Sequence, residues 1–122
     1  MPETVAEIGQ TLLKGADREY FLVICLSTAL KVNAVNIVSQ GSINHTSIHP
    51  REVFKPAILA NSDRICLLHN HIAGNLKPSE QDINVTKKLI EAGNLLDIKV
   101  IDHIIITDSG FVSLKIENEY LF

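Results

Sequence analysis

RICLLHN, residues 64 to 70, is the stretch that most narrows what this chain can become. A short apolar run bounded by polar residues reads as a strand buried on both faces, the central position in a sheet covered by helices. It runs into His69-Asn70-His71. Successive side chains of an extended chain point to opposite faces, so the two imidazoles project the same way. The strand is therefore expected both to hold a sheet together and to present polar atoms at its end.

The remaining segments supply what such a strand needs around it. Residues 3 to 14 place Val5, Ile8 and Leu12 near helical spacing, with Gly15 as a stop. REYFLVICLS (18 to 27) and AVNIVSQ, separated by a polar break around Lys31 to Asn33, read as a hairpin. INHTSIH after Gly41 reads as a loop or short strand. PREVFKPAILANS then reads as a helix, with Val53, Ala57 and Ile58 on one face, Pro50 in its first turn and Pro56 as an irregularity. From Ser79, Ile83 and Ile90 and the row Val85, Leu89, Ala92 predict a second amphipathic helix closed by Gly93. IKVIDHIIIT and FVSLKIE flank Asp108-Ser109-Gly110 and predict a closing hairpin. No repeat, low-complexity tract or linker interrupts residues 1 to 122, which predicts one domain of mixed α/β (α+β) class, a mixed sheet flanked by helices.

Composition narrows the classes further. With 46% apolar residues the chain can bury its own core, and a net charge of −3 gives no overall attraction for nucleic acid. Cys25 and Cys66 lie inside apolar runs and read as buried thiols of a reducing cytoplasm rather than a disulfide scaffold. No run reaches membrane-spanning length, and MPETVAEIGQ is too polar for a signal peptide, so a cytoplasmic protein with no membrane partner is expected.

Two same-face histidines are too few for a structural metal site, which takes four protein ligands. The third candidate is Asp82, in the first turn of the helix that Pro78-Ser79 enters. Ser79 and Asp82 also approach a capping-box pattern, and an acid in a first turn favours the helix dipole on its own account. The co-occurrence of His69, His71, a Gly74-containing loop and Asp82 within 14 residues nevertheless matches a three-ligand site with an open position, the arrangement of catalytic zinc. Asp102 and His103 are neighbours that point oppositely, so hydrogen bonding in the core or support of the ligands fits them better than shared ligation. His45 and His49 fall in a polar loop where capping or solvent exposure is expected, and Asn44-His45-Thr46 has the glycosylation pattern that a cytoplasmic protein does not use.

His69-x-His71, seven intervening residues, then Ser79-x-x-Asp82 resembles the signature of the JAMM (JAB/MPN) zinc metalloproteases. HNHIAGNLKPSEQD, AGNLLDIKVIDHIII and SIHPREVFKPAILANS together resemble the C-terminal domain of the RadC family, labelled DNA-repair proteins, over nearly the whole chain. The resemblance implies a curved JAB/MPN-like sheet in an α-β-α arrangement similar to cytidine deaminases. It also implies one zinc ion held by His69, His71 and Asp82 with water as fourth ligand, Glu19 as general base, and Ser79 steadying an oxyanion. The implied substrate is a peptide or isopeptide; the alternative is a non-catalytic module that meets a DNA-repair or replication partner. The helical, DNA-binding-type region that precedes this domain in longer members has no counterpart before residue 18. Ile72-Ala73 stands where the family commonly has Pro-Ser, a departure that bears on loop rigidity and substrate contacts rather than on the ligands.

Overall fold

The computed structural model describes residues 1–42 and 47–122. The short strand expected within INHTSIH and the roles given to His45 and the Asn44-His45-Thr46 pattern lie wholly or partly outside the described residues. The chain runs α1 (Pro2–Leu12), β1 (Tyr20–Leu26), β2 (Val32–Gln40), α2 (Pro50–Leu59), β3 (Arg64–Asn70), α3 (Glu80–Leu96), β4 (Lys99–Ile106), β5 (Phe111–Ser113) and α4 (Leu114–Glu117), then a single 3-10 turn at Glu119–Leu121.

Strand order is β2-β1-β3-β4-β5, so the apolar run of β3 does occupy the centre. It pairs antiparallel with β1 and parallel with β4, while β2 and β5 pair antiparallel at the edges, which makes the sheet mixed. The parallel pair needs a crossover, and α3 provides it. Alternation sorts the strands' side chains into two cores. Phe21, Val23, Cys25, Ile65 and Leu67 meet α2 and α3, whereas Leu22, Ile24, Leu26, Cys66 and Leu68 meet α1 on the other face. Both cysteines are buried free thiols, and they face opposite sides of the sheet, out of each other's reach. No helix among the described residues is long and apolar enough to cross a membrane.

Two local expectations are corrected. Gly93 does not end α3, which continues to Leu96 and closes on Asp97 in the left-handed conformation (φ 57°). Gly93 is instead a point of close approach, where a Cβ would collide with the Ile98 carbonyl and crowd the Phe54 ring. The closing hairpin forms around its turn, but the second strand stops at Ser113. There the Ser113 hydroxyl caps α4 by accepting from Ile116 N–H, and the Lys115 amide turns in to bond Asp102. Pro56 lies inside α2 without ending it.

Candidate metal centre

The site forms where β3 ends beside the start of α3. His69 continues the face that carries Ile65 and Leu67, so its imidazole enters the α3 side of the sheet and is fully buried. His71 projects likewise one residue beyond the strand, anchored by its amide to the Ile106 carbonyl at 2.9 Å. Ser79 caps α3: its Oγ accepts from Asp82 N–H at 3.1 Å, and its own N–H donates to Asp82 Oδ2 at 2.7 Å. The capping box is therefore complete, and it does not compete with the cluster. It aims the Asp82 carboxylate at both imidazoles, with His69 Nε2 3.1 Å from Oδ1 and His71 Nε2 3.1 Å from Oδ2. One potential ligand atom from each of the three residues lies within 4.8 Å of the others.

Hydrogen-bond directions fix which atoms are free. His71 Nδ1 sits 2.6 Å from the Asn75 carbonyl, which can only accept, so Nδ1 carries a proton and Nε2 faces the carboxylate. The Asp82 hydrogen bond raises the His71 imidazole above its ordinary pKa, burial opposing it. Burial would raise the Asp82 carboxyl, but the facing imidazoles and the Ser79 amide outweigh it and hold the group far below the usual carboxylate range.

His69 differs, because its Nδ1 lies 2.9 Å from His103 Nε2 while its Nε2 is buried with no hydrogen-bond partner. The 3.1 Å approach to Asp82 Oδ1 is not aligned as a hydrogen bond. An unsatisfied buried polar atom costs about 1–3 kcal/mol, and a cation shared with the carboxylate is the partner that would relieve it. Two imidazole nitrogens and one carboxylate oxygen are a donor set that suits zinc. The residues present therefore fit a metal ion.

The surroundings hold these groups in place. Phe21, fully buried on β1, stacks on the His69 ring (6.0 Å between centroids, 18°) and meets His103 edge-on at 5.5 Å. The Asn70 amide clamps the chain before β1, accepting from Tyr20 N–H at 2.7 Å and donating to the Arg18 carbonyl at 3.1 Å. Those two residues bracket Glu19, which is half-buried, immediately precedes β1 and lies close enough to His71 for its charge to raise that imidazole slightly. The loop that carries Ile72-Ala73 turns at Gly74 (φ 80°) and is pinned by the His71–Asn75 bond and by Lys77 N–H to Asn75 Oδ1 at 2.9 Å. His49 is the N-cap residue of α2, away from the cluster and without a side-chain cap bond.

Asp102 and His103 diverge as their adjacency requires. A bulge at Ile101 shifts the β3–β4 register, so that Ile65 pairs with Val100 but Cys66 with Asp102 and Leu67 with His103. The extra residue puts His103 on the α3 side, against His69 and Thr86, and leaves Asp102 to bond Ser113, His103 N–H and Lys115 N–H. Thr86 was not singled out by the sequence, although it stands four residues after Asp82 and hence on the same helical face.

A family model described as a RadC-like JAB domain matches residues 1–120. A UPF0758 protein of Desulforudis audaxviator is 47% identical over 116 residues, 95% of this chain and 50% of that protein. Another from Caldanaerobacter subterraneus is 44% identical over 121 residues, 99% of this chain and 52% of its own length. An archaeal relative, from Methanosarcina barkeri, is 41% identical over 116 residues. The chain spans about half the length of these curated relatives.

Proposed function

The chain belongs to the RadC-like JAB domain family, and from that footing we propose that it is a zinc-dependent metallohydrolase of peptidase or isopeptidase type. The observation that carries the proposal is the orphaned His69 Nε2, buried against Asp82 and next to His71. His69, His71 and Asp82 would hold the ion. A bound zinc supplies two things, a coordinated water with a pKa near 7 and polarisation of a carbonyl oxygen.

The chain's own residues do the rest. Glu19 takes a proton from the attacking water and returns it to the amine nitrogen as the C–N bond breaks. Its place before β1, bracketed by the Asn70 clamp, gives it a defined backbone from which to act. The Ser79 hydroxyl accepts the capping bond through oxygen and keeps its hydrogen to donate to the oxyanion of the attacked carbonyl. A cavity beside His71, lined also by Gln10, Leu13, Ile72 and Thr107, offers a place for a substrate side chain next to the reacting bond.

Glu19→Gln separates binding from chemistry. The variant is expected to retain one zinc per chain and to cleave peptide or isopeptide substrates about 10²- to 10⁴-fold more slowly. Unchanged turnover removes Glu19 from the base role. A zinc-loaded parent that cleaves no peptide or isopeptide, yet binds forked DNA or a repair or replication protein, overturns the hydrolase assignment in favour of an interaction module.

A further inference from the structure

Thr86, His103 and His69 form a buried line that ends at the metal side of His69, and all three residues are fully buried. Thr86 Oγ1 lies 2.7 Å from the Asp82 main-chain carbonyl and 2.6 Å from His103 Nδ1, and His103 Nε2 lies 2.9 Å from His69 Nδ1. A hydroxyl has one hydrogen, and a carbonyl oxygen can only accept. Thr86 therefore donates to Asp82 and accepts from His103 Nδ1–H. That leaves His103 Nε2 as a lone pair, which accepts from His69 Nδ1–H and leaves His69 Nε2 facing Asp82 Oδ1.

The opposite direction fails at Thr86, where it would set the hydroxyl oxygen's lone pairs against the Asp82 carbonyl at 2.7 Å. That contact selects the polarity of the whole line. We propose that Thr86 and His103 are positioning residues, a relay that fixes the tautomer of His69 so that its Nε2 lone pair is committed to the metal. Asp82 acts twice in this arrangement, as a carboxylate at the metal and as the carbonyl that polarises the relay from its far end. Because both come from the first turns of α3, a shift of that helix would disturb the ligand and the tautomer together.

The inference rests on the metal-site reading above, and its test keeps the two apart. Long-range ¹H–¹⁵N spectra of the metal-free parent are expected to show His69 and His103 both protonated at Nδ1, with His103 bare at Nε2; a bare His69 Nδ1 overturns the relay. Competition between zinc and a chelator is then run on Thr86→Val, which keeps the side-chain shape and removes the hydroxyl. The expected result is a loss of zinc affinity of about 10- to 100-fold, with Thr86→Ser restoring it towards the parent value. Equal affinity in the parent and Thr86→Val also overturns the relay. Should Thr86→Val not fold, the parent's nitrogen pattern decides the question. Should the parent bind no zinc, the metal reading fails, while the nitrogen pattern still decides whether the relay stands.

Discussion

Asp82 and Asp102 are both carboxylates buried beside the central strands, 3% and 2% exposed, yet their surroundings differ in kind. Asp102 is encircled by committed donors, the Ser113 hydroxyl at 2.6 Å, the His103 amide at 2.7 Å and the Lys115 amide at 3.0 Å. All three bonds stay within the fold, and those from Ser113 and Lys115 shape the chain where β5 ends and α4 starts. Asp82 also takes a shaping bond, from the Ser79 amide, but it faces two imidazole nitrogens, one of which has no hydrogen-bond partner. A buried carboxylate by itself says nothing about function; what distinguishes these two is whether the atoms opposite them are satisfied.

The comparison breaks most completely at Asp82. Asp82→Ala is expected to lose more zinc affinity than the about 100-fold that a supporting residue costs, while the loss of its capping bonds lowers stability by about 1 kcal/mol. Chelator competition and thermal unfolding measure the two effects separately. Asp102→Ala should do the reverse. It strands a hydroxyl and two amides, so unfolding should show a loss of about 2–4 kcal/mol with zinc stoichiometry unchanged in the folded fraction. If instead it removes zinc from a protein that is still folded, the distinction between the two carboxylates collapses.

A smaller effect is expected from Asn70→Ala, which removes two bonds to the backbone on either side of Glu19. Denaturant unfolding should show a loss of about 1–2 kcal/mol, zinc affinity should stay close to the parent's, and turnover should fall because the base is less well held. The smallest effect is on pH dependence. Burial, opposed by the Ser113, Lys115 and His103 bonds, leaves the Asp102 carboxyl above its ordinary value. The folded chain therefore binds this proton more tightly than the unfolded chain does. Its contribution is largest below the ordinary carboxylate pKa of about 3.9 and is lost as pH rises through the raised value. Asp102→Asn should remove that downward component from the pH–stability profile above the ordinary carboxylate pKa of about 3.9, and an unaltered profile would show that the carboxyl is not raised.

Much of the site was legible because its signals are local. RICLLHN announces a central strand, the histidine alternation puts both imidazoles on one face, and Ser79 with Asp82 marks the helix entry. Each depends on spacing along one segment. The parts that escaped depend on pairs of segments. Strict alternation from Val100, which faces α3, would put Asp102 on the metal side and His103 on the other; the bulge at Ile101 reverses both. Nothing in IKVIDHIII marks that extra residue, since register is a property of two strands rather than one. Gly93 misled for a similar reason, its small size answering to the Ile98 carbonyl rather than to a helix stop. Thr86 passed as an ordinary helical residue until the fold set it beside His103, and β5 ended early because Asp102 draws the Ser113 hydroxyl and the Lys115 amide.

The central claim is that His69, His71 and Asp82 form a metal site, and X-ray absorption on the chain titrated with zinc tests it most directly. One saturable ion per chain is predicted, with two imidazole nitrogens at about 2.0–2.1 Å and a carboxylate oxygen at about 2.0–2.2 Å. No saturable binding, or a bound ion with no histidine in its coordination shell, would contradict the account.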